Sequence, residues 1–463
     1  SSSKKKATTG SNNRWTMNNS LTQYLELYEA HRADIDSHAP QALNRLRDAA
    51  FEALNKAGRL PRKGDEGYAR TDIDAIFAPD FGINIMRVPA SLRCDVPNVS
   101  TLMGVVAGDE FRPTATLLRN LPEGVTLTSF SEAARTTPAL LERLGNLSAE
   151  GDAATQLNTL LAQDGVLMHV AAGVECEKPL QLINIFNAGV PSLAARRVLV
   201  VLERGASARL LVCDHSQRAD VDYLASEVTE IFLAPGAQLD YYHLEESTAR
   251  TSRVSSVFAS LDADSRLSVN GTTLCGGHTR NNYTVHLDAP GAEANMAGMV
   301  ICGDSQHTDN DTLVLHHAPH CRSNQTFKYI LGDNATGAFR GLIRVDHGAA
   351  FTEAYQTNRN LVTSADATMH TEPQLEIYCD EVKCGHGATT GQLDERALFY
   401  MRSRGIPERE ARKMLMQAFM ADVIDTITLP SLHERLRLLV ERRLTGDRRG
   451  CGDCSASCTT TLQ

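Results

Sequence analysis

Hydrophobic positions recur along this chain with two different periods. In LTQYLELYEAHRADI (21–35), Leu21, Leu25, Tyr28 and Ile35 return at helical spacing, and APQALNRLRDAAFEALNKAG (39–58) repeats the pattern between Pro40 and Gly58. Both stretches predict amphipathic helices, with proline suited to the first turn and glycine to the left-handed stop. RLPRKGDEGYARTD (59–72) then breaks the period.

From about residue 165 the period drops to two. GVLMHVAAGVECE, RRVLVVLERGASARLLVCD, VTEIFLAPGAQLDYYHLEE, YTVHLDAPGAEANMAGMVICG and GLIRVDHGAAFTEAYQT are short runs rich in Val, Ile, Leu and Tyr, each broken by a small-residue turn. They predict strands. The turn positions Gly205, Gly236, Asp264, Gly291, Pro319 and Gly348 fall 27 to 31 residues apart, with half-period turns such as Gly332-Asp333 between some of them. Short, evenly spaced strands without intervening helices suit the stacked coils of a β-solenoid, in which each coil covers its neighbour's edges. A two-sheet sandwich gives similar texture, but about ten such units exceed what one sandwich holds.

At Gly391 the alternation stops. QLDERALFYMRSRG puts Leu393, Ala397, Leu398 and Met401 on one helical face and ends at Gly405; a second helix follows Pro407 with Glu408 and Glu410 in its first turn. A third is predicted to open at SLHE, where Ser431 and Glu434 have capping-box spacing. The chain therefore divides into a leader (1–16), an N-terminal helical part with a connecting segment (17–150), a mainly β body (151–390), a C-terminal helical part (391–445) and a cysteine-containing tail (446–463).

Composition adds mainly exclusions. A net charge of −10 gives no general attraction to nucleic acid or to an anionic membrane surface. No apolar run approaches the roughly 20 residues of a membrane span, so neither partner is expected and the chain is placed in the cytoplasm. The leader SSSKKKATTGSNNRWT has no acid and reads as a disordered extension or expression remnant, with a cleaved organelle-targeting peptide as the other reading. Eleven cysteines without the dense spacing of a disulfide scaffold are expected to be free thiols or ligands.

Motifs of self-sufficient catalysis are missing: there is no Walker A loop, G-x-S-x-G elbow, H-E-x-x-H helix or dinucleotide fingerprint. His307, His316, His317, His320 and Cys321 crowd one segment and could suggest zinc, but Pro319 and the turn period favour exposed turn histidines. Cys451, Cys454 and Cys458 include a chelating C-x-x-C pair in a Gly/Ser/Thr-rich terminal segment whose default is disorder. The arginines of RLRLLVERRLTGDRR interleave with Leu432, Leu436, Leu439 and Val440 and read as the solvated face of an amphipathic helix.

KCGHGATTGQLDE (383–395) is different. Cys384 and His386 are two apart and point to one face if the segment is a strand. Taken alone, the plainer reading packs one of them inward and satisfies the other with a backbone carbonyl. Against it stand the shared face, the glycines on either side of His386 and the position where the β body ends. An iron–sulfur cluster takes four ligands, usually thiolates and occasionally imidazole, so two residues cannot close one. The remainder would come from another chain.

At these residues the sequence resembles the SufD family of the SUF iron–sulfur cluster assembly system. The resemblance is strongest over 352–415, and VKCGHGAT combined with GQLDE points to SufD rather than to its paralogue SufB. QLNTLLAQDGVLMHV (156–170), RRVLVVLERGA (196–206) and LPRKGDEGYARTDI (60–73) are similar as well, with Tyr68 where tryptophan is usual and Gly385 where serine is commoner. The resemblance implies a right-handed parallel β-helix core between helical regions. It implies a non-catalytic scaffold with SufB and SufC as partners, His386 and less firmly Cys384 beside a transient cluster at the SufB interface, and SufC docking through Leu398, Tyr400, Met401, Arg404, Ile406 and Pro407. ATP hydrolysis would belong to SufC; a reduced flavin in the complex and a homodimer of the isolated chain are compatible additions. The competing readings are a β-helix carbohydrate-active enzyme and an autonomous metal-binding protein using the histidine-rich turn or the cysteine tail.

Overall fold

In the computed structural model, which describes residues 19–87, 93–94, 101–446 and 460–461, the alternating runs stack into two long sheets. Successive strands of the body go to opposite sheets, so that each strand pairs with the ones two before and two after it, in parallel. Parallel pairing at this separation excludes hairpins and hence the sandwich; the body is a parallel β-solenoid of about eight turns. One sheet has ten strands and the other nine. Neighbouring rungs are offset by 26 residues (Arg253 beside Thr279) to 32 (Thr336 beside Thr368), which is the repeat seen in the turns.

The corner that closes each coil needs one left-handed residue. Gly205, Gly236, Asp264, Gly291 and Gly348 hold φ between 55° and 84°, and at the coil in which Pro319 marks the turn the left-handed position falls on His320. Glycine carries no steric penalty there, which is why the sequence period showed in glycines.

Between the sheets, inward residues such as Leu210, Val212, Leu239, Tyr241, Ile231, Val257, Leu267 and Val285 form one continuous apolar core. The outer faces are covered by helices. Ser20–His38, Arg47–Ala57 and Ala153–Leu161 pack Leu21, Tyr24, Leu54 and Leu157 against Leu193, Leu199, Leu224 and Val254 of the nine-stranded sheet. Arg47, fully buried, donates to the carbonyls of Leu160 (2.6 Å) and Ala162 (2.8 Å), where the last helix of this group leaves acceptors unpaired. The predicted second helix is in fact one turn (Gln41–Asn44) followed by Arg47–Ala57, which stops at Gly58 with φ 70°.

On the ten-stranded sheet, Glu408–Ile424 and Pro430–Leu444 lay Met420, Val423, Leu432, Leu436 and Val440 over Leu211, Tyr242, Leu274, Met299 and Ile330. The expected capping box is not formed: the helix begins at Pro430, and Ser431 lies inside it. The arginines of this helix are not merely solvated either. Arg437 pairs with Glu434 at the surface, but Arg435 reaches Glu246 on the sheet at 2.8 Å and Arg443 donates to Gln306.

Strands also occur earlier than the alternation suggests. Leu102–Ala107, Glu110–Pro113 and Val125–Ser129 start the two sheets, the first running parallel to Leu180–Phe186. They are short, and the first carries Gly104 within it, too little periodicity to register as strands in the sequence. No helix among the described residues is long and apolar enough to cross a membrane. Residues 1–16 and Cys451, Cys454 and Cys458 lie outside the described residues.

Candidate functional site

The solenoid ends at Thr368–Ile377 and Val382–Gly391, the outermost strands of the nine- and ten-stranded sheets. Each pairs on one side only, with Thr336–Val345 and Thr352–Val362 respectively, so two parallel edges carry backbone donors and acceptors that no coil of the described chain takes up. Edges of this kind are completed by another chain or guarded against it. Here the edge strands carry Glu372, Pro373, Glu376 and Lys383, and beside them Phe351, Tyr355, Ile377 and Tyr378 are all more than 40% exposed.

Register places the two candidate ligands. Cys384 lies beside Ala354 and His386 beside Gln356, both of which face the solenoid interior, so thiol and imidazole share a direction as their spacing requires. Their surroundings differ. Cys384 is half-buried, packed at the margin of a cluster made by Ile343, Val345, Ala349 and Ala354, and burial pushes its thiol up while a backbone hydrogen bond from Ala354 works the other way. His386 is exposed. Beneath it the interior is incompletely satisfied: Gln356 Oε1, Asn360 Oδ1 and Thr371 Oγ1 are buried without a hydrogen-bond partner among the described residues.

Thiolate and imidazole are the donors an iron–sulfur cluster accepts, so the chemistry fits. The count does not. Among the described residues, the groups of three or more metal-capable side chains lie elsewhere, at His286–Asp288–His317 and Asp214–Glu227–His243. The end coil by itself offers two donor side chains, and burial favours the protonated form of the thiol.

Past this strand, Asp394 caps the helix Glu395–Ser403 by accepting from the backbone of Arg396 and Ala397. The helix turns Leu398 inward, where it is buried, and leaves Phe399 and Tyr400 at 73% and 58% exposure. The Arg404 guanidinium lies 5.0 Å from the centre of the Tyr400 ring. Met401 and Ile406 are partly covered, Arg404 and Pro407 exposed, and Met414 on the next helix is 46% exposed. Of the six residues expected to dock a partner, Leu398 therefore supports the helix from behind, and the unpredicted Phe399 takes the outward place.

Of the histidine-rich segment only His320 is an exposed turn residue as expected. His307 and His316 belong to a strand and are buried; His307 contacts Thr71 and Thr336, and His316 contacts Ser323. Burial lowers both imidazoles to about 4. His320 stacks on Phe351, and Cys321 is buried as a free thiol.

Sequence reasoning missed a polar column inside the solenoid. Inward positions of five strands bring Arg196, Asp214, Glu227, His243, Glu245 and Arg253 together, all buried. His243 Nε2 is 2.5 Å from Asp214; Arg196 reaches Glu227 at 2.9 Å; Arg253 reaches Glu227 and Glu245 and donates to Asn281 at 2.7 Å. Burial acts to raise the Asp214 carboxyl, but His243, Arg253 and Arg196 overrule it and hold it well below the usual range. With two guanidiniums already seated among the carboxylates, this cluster is an internal ion network rather than a cation site. The signal was available: Asp214, Glu227 and Glu245 fall in phase with apolar residues of their strands, where an inward position should be apolar.

Family models for the SufBD protein N-terminal region and for the SUF system FeS cluster assembly SufBD core domain match residues 18–182 and 184–419. The chain is 30% identical to an iron–sulfur cluster assembly SufBD family protein of Synechocystis sp., over 83% of this chain and 88% of that one. It is 31% identical to the iron–sulfur cluster assembly protein SufD of Escherichia coli over 63% and 70% of the two chains, and 25% identical to the chloroplastic protein ABCI7 of Arabidopsis thaliana over 85% of each. The chain belongs to the SufBD family, and with it to iron–sulfur cluster assembly by the SUF system.

Proposed function

From this membership we propose that the chain is the SufD-type, non-catalytic scaffold subunit of a SUF complex, joined to a SufB homologue through its last coil and to a SufC ATPase through its terminal helices. The nascent cluster is cargo: Cys384 and His386 supply two of its ligands and the SufB homologue supplies the rest. The observation that carries the reading is the open end of the solenoid. There a thiol and an imidazole continue the inward register beyond the last covered coil, above unpartnered buried polar atoms and inside an exposed rim of Phe351, Tyr355, Ile377 and Tyr378.

Ligands split across an interface make cluster release a matter of interface geometry. Phe399, Tyr400 and Met414 present an exposed apolar surface for SufC. The helix of Met414 is tied to the ten-stranded sheet by Met420 and Val423, and Lys328 Nζ of that sheet donates to the Phe419 carbonyl at 2.8 Å and to Asp422. Closure of two nucleotide-loaded SufC subunits then pulls on the solenoid and rearranges the SufB contact, an interface switch driven by the partner's ATP.

The test is co-expression with SufB and SufC homologues and anaerobic purification. His386→Ala and Cys384→Ser are expected to lower the cluster absorbance of the complex several-fold while its subunit ratio stays unchanged. Unaltered cluster content in both variants would remove these residues from the site.

A further inference from the structure

On the outer face of the nine-stranded sheet, apart from the terminal strand of the other sheet, consecutive coils bring His286, Asp288 and His317 together. We propose that these three side chains form a site for a divalent first-row transition ion such as Zn²⁺, with two imidazole nitrogens and one carboxylate oxygen as ligands. It is independent of the cluster site proposed above.

The geometry is close to what such an ion requires. One ligand atom from each residue lies within 4.8 Å of the others. His286 Nδ1 and His317 Nε2 are 3.1 Å apart with their ring centres 5.4 Å apart, so the two nitrogens face each other end to end. Two nitrogens bound tetrahedrally at about 2.0–2.1 Å sit roughly 3.3 Å apart, so the spacing suits the ion, and both rings turn to bring their lone pairs off the line between them and onto it.

Two of the three ligands, His317 and Asp288, are also held from behind. His317 Nδ1 donates to Asp346 Oδ2 at 2.6 Å, which leaves the Nε2 lone pair turned toward His286. Asp346 is itself fixed by Arg344 Nε at 2.8 Å, and the Ser260 hydroxyl donates to Asp288 Oδ2 at 2.5 Å. Outer partners of this kind, a carboxylate on the far nitrogen of an imidazole above all, orient metal ligands and raise their basicity. The plain alternative is a hydrogen-bonded ladder in which His286 Nδ1–H donates to His317 Nε2 and no ion is bound. The two readings differ in whether His286 Nδ1 carries a proton, and ion binding decides between them.

The experiment titrates the full-length chain anaerobically with Co²⁺ and then displaces it with Zn²⁺. A single Co²⁺ is expected to show visible d–d bands without the near-ultraviolet sulfur-to-cobalt band that cysteine ligation produces. His286→Ala and His317→Ala are each expected to abolish it, Asp346→Asn to weaken it at least about tenfold, and the Cys384→Ser/His386→Ala double variant to leave it unchanged. Circular dichroism checks folding, and His286→Gln and His317→Gln serve if the alanine variants misfold. Binding accompanied only by the thiolate band, or wild-type affinity in the histidine variants, would overturn the site.

Discussion

The middle and the end of the solenoid both carry polar side chains on the inward register, and they treat them in opposite ways. In the middle, Asp214, Glu227 and Glu245 are closed in by Arg196, Arg253 and His243, with further coils on both sides. At the end, Cys384 and His386 occupy the same register above Ala354 and Gln356, but among the described residues no coil follows them. Register decides where a side chain points, and the next coil decides whether that direction is interior or surface. A solenoid therefore turns its core pattern into an exposed surface simply by stopping.

The largest effect expected from breaking this contrast is at Arg253. Its guanidinium is the shared partner of Asp214, Glu227 and Glu245, and replacing it with Met leaves three buried carboxylates around one remaining arginine and one histidine. Removing one member of a buried ion network costs about 3–5 kcal/mol. Urea denaturation of Arg253→Met should show a loss of that order. A loss below about 1 kcal/mol would mean that water reaches the column and that the middle is not closed as described.

A second measurement concerns pH. His307, buried beside Thr71 and Thr336, is lowered to about 4, burial outweighing the pull of Asp309. An unfolded imidazole takes up its proton near pH 6.5, so between about 6.5 and 4 the unfolded state holds more protons than the folded one. Stability contributed by the neutral ring is complete above that window and falls as pH drops through it, reaching about 3 kcal/mol lost at the lower end. His307→Asn should flatten the fall in urea midpoint between pH 7 and pH 5 relative to the parent. A parallel slope in the two proteins would show that His307 is protonated inside the fold.

Much of this arrangement can be read from residues, and the limits have physical causes. The coil repeat showed because each corner demands a left-handed residue and glycine supplies it at Gly205, Gly236, Gly291 and Gly348. Cys384 and His386 showed through their two-residue spacing at the end of the alternation. What did not show is what depends on stacking across about 30 residues. The ion column needs Asp214, Glu227 and His243 from three strands to meet, and His317 meets His286 only because one coil lies on the next. Crowding in sequence pointed at His307, His316, His317, His320 and Cys321, of which His307, His316 and Cys321 are buried, while the pairing that brings His317 against His286 is non-local. The early strands escaped because Leu102–Ala107 is six residues long and reads as a strand only once Leu180–Phe186 lies beside it.

The smallest effect separates the two regions by a single methyl group. Gly298 lies between covered coils, and a Cβ built there would stand 2.2 Å from the Phe327 ring, itself packed 4.9 Å from Phe339, so the ring has nowhere easy to go. Overpacking of this kind costs about 1–3 kcal/mol. Gly387, on the last strand, has nothing within 4 Å of its Cβ position and no left-handed φ. Alanine there should change stability by less than about 0.5 kcal/mol. Thermal melts of Gly298→Ala and Gly387→Ala in the isolated chain compare the two directly. Within an assembled complex the order should hold, because residue 387 alternates with Cys384 and His386 and turns the added methyl to the outer face of the sheet, away from the open interior. A Gly387→Ala chain that stays folded but loses assembly or cluster would mean that the partner covers this outer face as well.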